Sequence, residues 1–247
     1  MALERIPVTP ASVYGKDWTD RLRELPDVSP LQGLRARPGD AVLVVGAHPD
    51  DETFGAGATI AALARSGVRV HGLCMSAGEA ALDHLGRTLG DLAGRRRREY
   101  AEACHTLGMA SSTTVGLPDG RLDAFGTRLQ AAVADVSERL GADCLLAVWW
   151  DDPHPDHRAV GRACLDAGAS TGRPVFGYPV WAQHWTAPEA VFGERHPQRM
   201  RIGPHAEELR RRAVDCYRSQ TEPLHPDLQP VMPPEIVRWR PELVLAP

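Results

Sequence analysis

The chain has 247 residues, 43% hydrophobic and 24% charged, a length that one α/β domain fills and a composition that buries a core rather than staying disordered or forming a fibre. Its 28 basic and 32 acidic residues leave a formal charge of −4, so there is no global positive field to hold nucleic acid or an anionic membrane. The five cysteines, Cys74, Cys104, Cys144, Cys164 and Cys216, are scattered, odd in number and form no C-x-x-C pair, the pattern of buried free thiols in a reducing compartment.

Residues 1–40 are rich in Pro and Arg with weak periodicity and read as an arm that ends in the turn Pro38-Gly39-Asp40. Met1 to Tyr14 carries no basic start followed by an apolar stretch, and the longest apolar run, Ala41–Ala47, is far shorter than the roughly 18 residues of a membrane span. The expectation is a soluble, cytoplasmic protein. Ala41–Ala47 has the unbroken apolar character of a strand buried on both faces of a parallel sheet. A helix follows from Thr53 to Ser66, closed by Gly67, then a strand from Val68 to Met75 and a helix from Asp91 to Leu107, closed by Gly108. A strand at Thr113–Leu117, a helix over 126–140 closed by Gly141 and a strand from Cys144 to Trp150 continue the alternation. Beyond it come a helix at Arg158–Ala169, a strand at Pro174–Trp181, a loop rich in Trp, Pro and Arg, a helix at Ala206–Ser219 and a Pro-rich tail. This order predicts a Rossmann-like, doubly wound, mostly parallel sheet with helices on both faces: one domain over 41–220, with the arm 1–40 and the extension 221–247 packed on it.

Two clusters stand directly after strands: His48-Pro-Asp-Asp-Glu52 after the first, and Asp151-Asp-Pro-His-Pro-Asp-His157 after the strand ending at Trp150. In an open α/β sheet ligands bind beyond the carboxyl ends of the strands, so the clusters fall where a site is expected. An imidazole and a carboxylate three residues apart can grip one metal ion, and a third ligand from the other segment leaves tetrahedral zinc one open position, the mark of catalysis. His48, Asp51 and His157 are assigned as ligands of one zinc or another divalent transition metal. Asp50 is the general base, and His154 the group that polarises or protonates the reacting amide. Taken singly, an acidic N-cap or a His-Pro turn explains each cluster; jointly they favour the metal site.

Ala47-His-Pro-Asp-Asp-Glu52 followed by His154-Pro-Asp-His157 resembles the paired signature of the PIG-L, or LmbE-like, zinc-dependent N-deacetylases. Gly78-Glu79, Arg96-x-x-Glu99, Pro118-Asp119-Gly120 and Ser219-Gln220 extend the similarity over Ala41–Gln220. The resemblance implies a Rossmann-like sheet, a mononuclear zinc on the three ligands named, Asp50 as base and His154 as stabiliser. It also implies removal of an acyl group, usually acetyl, from the 2-amino group of a glucosamine unit in a small-molecule glycoside or amino sugar. By position Glu79, Arg96 and Asp119 match residues that hold sugar hydroxyls. Family members acting on mycothiol-type substrates carry a tyrosine where this chain has Asp152, which argues against an amidase of such thiol conjugates.

Trp181 and Trp185 flank His184 and weigh equally as a stacking surface for substrate or as packing, whereas Trp149 reads as core. Arg95–Arg98 reads as a solvated helix face with Arg96 excepted. A nucleotide-binding module would need a phosphate loop, but Gly55-Ala-Gly57 is followed by Ile60 where a glycine belongs. Cys74 occupies the first glycine position of a serine-hydrolase elbow at Ser76. Two rivals remain open: within hydrolases an amidase of a mycothiol-type thiol conjugate, and from another class a non-catalytic sugar-binding module. The sequence carries no signal of oligomeric state.

Overall fold

The computed structural model of the chain describes residues 15–81, 90–192, 197–238 and 242–246. In chain order its elements are α1 (Gly15–Arg23), β1 (Asp27–Val28), α2 (Pro30–Gly33), β2 (Ala41–Gly46), α3 (Asp51–Arg65), β3 (Arg69–Ser76), α4 (Leu92–Thr106), β4 (Ser111–Leu117), α5 (Gly126–Leu140), β5 (Cys144–Val148), α6 (Pro155–Thr171), β6 (Val175–Tyr178), α7 (Ala182–Trp185), α8 (Pro188–Phe192), β7 (Gln198–Met200), α9 (Pro204–Cys216), α10 (Arg218–Thr221), α11 (Pro234–Arg238) and β8 (Leu243–Val244), with a 3-10 turn at Leu122–Phe125.

Five strands pair in parallel in the order β4-β3-β2-β5-β6. β2 and β5 are buried at every position, which is why both read as unbroken apolar runs. The chain steps outward from β2 through β3 to β4, then returns to lay β5 on the other side of β2. Right-handed crossovers in two opposite directions put α3 and α4 on one face and α5 and α6 on the other; α9 joins the first layer against α3 and α4. The reversal also opens a crevice between the carboxyl ends of β2 and β5, where ligands of doubly wound sheets bind.

Differences from the sequence reading lie at element ends and in the flanks. Helix α6 begins at Pro155, three residues before the expected start, because His154 caps it and Pro is tolerated in its first turn. β5 ends at Val148 and β6 at Tyr178, so Trp149, Trp150 and Trp181 stand beyond the strands. The first fourteen residues of the arm lie outside the described residues, but from Gly15 onward the arm is structured. Trp18 is fully buried, donates its indole N–H to the Thr186 carbonyl at 3.0 Å and packs on Phe192. Ser29 and Gln32 form a capping box that starts α2. Arm and tail also meet in a second sheet, β1-β7-β8, and Gly177 of β6 bridges to Leu245. Among the described residues no helix is long and apolar enough to cross a membrane.

Candidate active site at the ends of β2 and β5

Beyond β2 the chain turns sharply into α3. Asp51 ties the turn by accepting the backbone N–H groups of Ala47 and His48 on Oδ2, at 2.8 and 2.9 Å. With Glu52 it also places two acids in the first turn of α3, where the helix dipole favours them. Asp50 precedes the helix at φ +137°, a conformation that costs a non-glycine residue about 1–3 kcal/mol and that persists only where its surroundings enforce it. Beyond β5, His154 caps α6 by accepting the Asp156 N–H on Nδ1 at 3.2 Å, which sets His157 in the first turn. Gly161 lets α6 approach the end of β5: a Cβ there would lie 2.6 Å from the Val148 carbonyl oxygen.

The two segments converge. His48 Nδ1 lies 3.3 Å from His157 Nε2, and Asp51 approaches these nitrogens with Oδ2 at 3.7 Å and Oδ1 at 3.1 Å respectively. His154 adds a third imidazole, its ring centre 4.9 Å from that of His48 and 4.8 Å from that of His157. One nitrogen from each of the three histidines fits within 4.8 Å. The outer nitrogens face carboxylates: His48 Nε2 is 3.1 Å from Asp119 and 3.3 Å from Asp156, and His157 Nδ1 is 3.4 Å from Asp152. Metal-binding histidines are commonly oriented in this way, with one nitrogen to the ion and the other to a carboxylate. Asp156 is fixed by the N–H groups of Gly120 and Leu122. Asp152 accepts those of His154, Val180, Trp181 and Ala182.

The electrostatics match a cation-shaped site. Burial opposes charge on His48 and His157, but the carboxylates outweigh it, holding His48 well above its ordinary pKa and His157 at about 9. Burial likewise opposes ionisation of Asp51, yet His157 and His48 keep it well below the carboxylate range. Two imidazole nitrogens facing a carboxylate at 3–4 Å fit a divalent ion, which would take the place of a proton between them. Two imidazole nitrogens and one carboxylate form a donor set suited to zinc. Beside them Asp50 is lifted by burial to about 8, against the opposing charge of Arg96. His154 is pushed by burial, and by the charge of His157 and His48, down to about 3 and is neutral. Its Nδ1 accepts a hydrogen bond, so its proton sits on Nε2.

The residues expected to meet the sugar divide. Glu79 is exposed, and its carboxylate accepts the Asp119 N–H at 3.1 Å. Asp119 is turned onto His48. Arg96 is 3% exposed; it donates to Asp50 Oδ2 at 3.1 Å and to the carbonyls of Pro49 and Gly78. Trp181 and Trp185 are half-buried and stack on each other at 4.4 Å, and Trp185 continues the stack toward His154; Trp149 is in the core. Sequence reading missed Asp152 and Asp156 as orienting carboxylates. Their presence between and beside His154 and His157 was the available signal.

Comparison with known proteins bears on the same segments. The family model described as "PIG-L: GlcNAc-PI de-N-acetylase" matches residues 43–168, from within β2 to within α6, and so spans both clusters. The chain belongs to the PIG-L family. This PIG-L chain is 29% identical over 204 residues to a probable N-acetyl-alpha-D-glucosaminyl L-malate deacetylase 2 of Bacillus cereus, covering 75% of the chain and 86% of that protein. It is 32% identical over 183 residues to the 1D-myo-inositol 2-acetamido-2-deoxy-alpha-D-glucopyranoside deacetylase of Rhodococcus jostii, covering 60% of the chain and 62% of that protein. Among solved structures, the A40926 pseudoaglycone deacetylase Dbv21 superposes with a TM-score of 0.65 at 18% identity, over 83% of this chain and 96% of that one, a likeness of fold.

Proposed function

We propose that the protein is a metal-dependent N-deacetylase that hydrolyses the amide of an N-acyl, chiefly N-acetyl, group on the 2-amino position of a glucosamine-containing small molecule. One observation carries this reading. The imidazole–carboxylate cluster lies in the crevice between β2 and β5, and beside it Asp50, buried and lifted to about 8, has its carboxylate held by Arg96 at 3.1 Å. A carboxylate titrating near neutrality is matched to taking a proton from water and returning it.

His48, Asp51 and His157 would hold the divalent ion, which when bound supplies Lewis acidity toward a water and the acyl oxygen. Asp50 accepts the proton of the attacking water while Arg96 fixes its carboxylate. Neutral His154 presents Nε2–H to the oxygen that gains charge as the carbonyl becomes tetrahedral, a donor in place before reaction. Collapse expels the amine, which takes the proton from Asp50, leaving acetate and a free amino sugar. Asp119, Arg96 and Glu79 are candidates for contacts with the sugar hydroxyls, and Arg96 has the further task of orienting the base. Trp181 and Trp185 offer a half-buried aromatic surface for the sugar or its aglycone. Asp152, committed to four backbone N–H groups, supplies no hydroxyl of the kind the mycothiol-directed branch carries.

The test is incubation of zinc-loaded protein with a panel of N-acetylglucosaminides, following free amine and acetate. Stoichiometric release of both, abolished by chelation, is expected; no release from any member of the panel overturns the substrate class.

A further inference from the structure

The conformation of Asp50 needs a cause beyond its own segment. Its φ of +137° is one of only two positive values at non-glycine positions among the described residues, and its N–H points at Glu52 Oε2 at 3.3 Å. The other oxygen of Glu52, Oε1, receives the Thr53 hydroxyl at 2.6 Å and the Tyr217 hydroxyl at 2.5 Å. Glu52 and Tyr217 are both buried, at 2% and 0% exposure. Tyr217 stands at the end of α9, which packs on α3 and α4, and its ring lies against Phe54 of α3. The same junction is pinned to α4 by Ser219, whose N–H and hydroxyl both donate to Glu99. Glu99 sits one helical turn beyond Arg96, the residue that holds the Asp50 side chain.

We infer that Tyr217 is a positioning residue for the proposed base, acting through Glu52 on the strained backbone of Asp50. Arg96 orients the carboxylate of Asp50 from one side, and the Tyr217–Glu52 pair holds its amide from the other. The carboxylate of Glu52 can serve both ends because each of its oxygens accepts. The inference rests on the deacetylase reading only for its consequence in turnover. The hydrogen-bond path itself is independent of that reading.

The test uses Tyr217→Phe, with Glu52→Gln as the second variant should the first fold poorly; Gln turns an NH2 toward one of the two ends and breaks the same path. Hydrogen–deuterium exchange of the peptide spanning 47–54, zinc per chain, thermal midpoint, and kcat and KM on the best N-acetylglucosaminide are measured for each. Exchange at the Asp50 amide is expected to quicken, and kcat to fall about five- to tenfold, the effect of one hydrogen bond. KM and zinc content should stay at wild-type levels, and the thermal midpoint should fall only by the few degrees that one buried hydrogen bond is worth, leaving the protein fully folded at the assay temperature. Unchanged exchange and kcat in both variants overturn the inference. So does a loss of kcat that tracks loss of zinc or of folded protein, since a merely structural tyrosine gives that pattern. Should the wild type turn over no glucosaminide, the deacetylase reading fails while the exchange measurement still decides the path.

Discussion

Asp152→Asn is the perturbation with the most to say about how the two halves of the site are coupled. Oδ2 of Asp152 accepts the N–H groups of Val180, Trp181 and Ala182 at 3.2, 3.1 and 3.3 Å, while Oδ1 accepts that of His154 at 3.0 Å and faces His157 Nδ1 at 3.4 Å. The side chain is fully buried. Asparagine has one accepting oxygen and satisfies only one of these sides. Turned toward the three N–H groups, it sets an NH2 against the His154 N–H and His157. One charge-assisted hydrogen bond then goes and a buried donor is left unpaired, a loss of about 1.5–3 kcal/mol. For a chain of this size that lowers the thermal midpoint by roughly 4–10 °C. Removing the orienting carboxylate from a metal-binding histidine weakens zinc by about 10- to 100-fold. Burial opposes ionisation of Asp152, but the charge of His157 and the backbone N–H groups hold its pKa below the ordinary 3.8. Its stabilising contribution is therefore present above that value and lost as pH falls through the lower folded pKa, a dependence the Asn variant lacks. Calorimetry with and without zinc, and competitive zinc titration, read all three effects. Wild-type zinc affinity and melting in Asp152→Asn would refute the coupling.

Asp50→Asn and His154→Ala should keep one zinc per chain yet lose about 10²- to 10⁴-fold in kcat, read by metal analysis and steady-state kinetics; a fully active Asp50→Asn removes the base assignment. Zinc affinity should rise with pH between 6 and 9, because His157, held at about 9, and His48, held well above its ordinary value, must each give up a proton to bind; a pH-independent dissociation constant between 6 and 9 contradicts the cluster's electrostatics. Trp181→Ala and Trp185→Ala should raise KM for a glycoside more than for the free N-acetyl amino sugar while leaving zinc content unchanged, checked by kinetics on the matched pair.

The parts of this structure that were legible in the sequence are those whose signal is local. β2 and β5 announce themselves because burial on both faces demands unbroken apolar runs. The chain's alternation then fixes which strand ends share a crevice, so His48 and His157 could be paired across more than a hundred positions. What stayed hidden depends on partners remote in sequence. The two-residue strands β1 and β8 have no period to read, and their sheet forms only because β7 lies between them. Asp152 looks like a turn residue until the 180–182 backbone arrives 28 to 30 positions later to occupy it. Tyr217 lies 165 positions from the carboxylate it meets. Arg96 stood out in a basic run by its motif, but only its burial shows why it differs from exposed Arg97 and Arg98.

Equilibrium zinc titration of His48→Ala, Asp51→Ala and His157→Ala tests the central claim most directly, that two strand-end segments share one divalent ion. Each substitution should abolish tight, one-to-one binding while the fold survives by circular dichroism. Wild-type affinity in any one of the three would contradict the shared site.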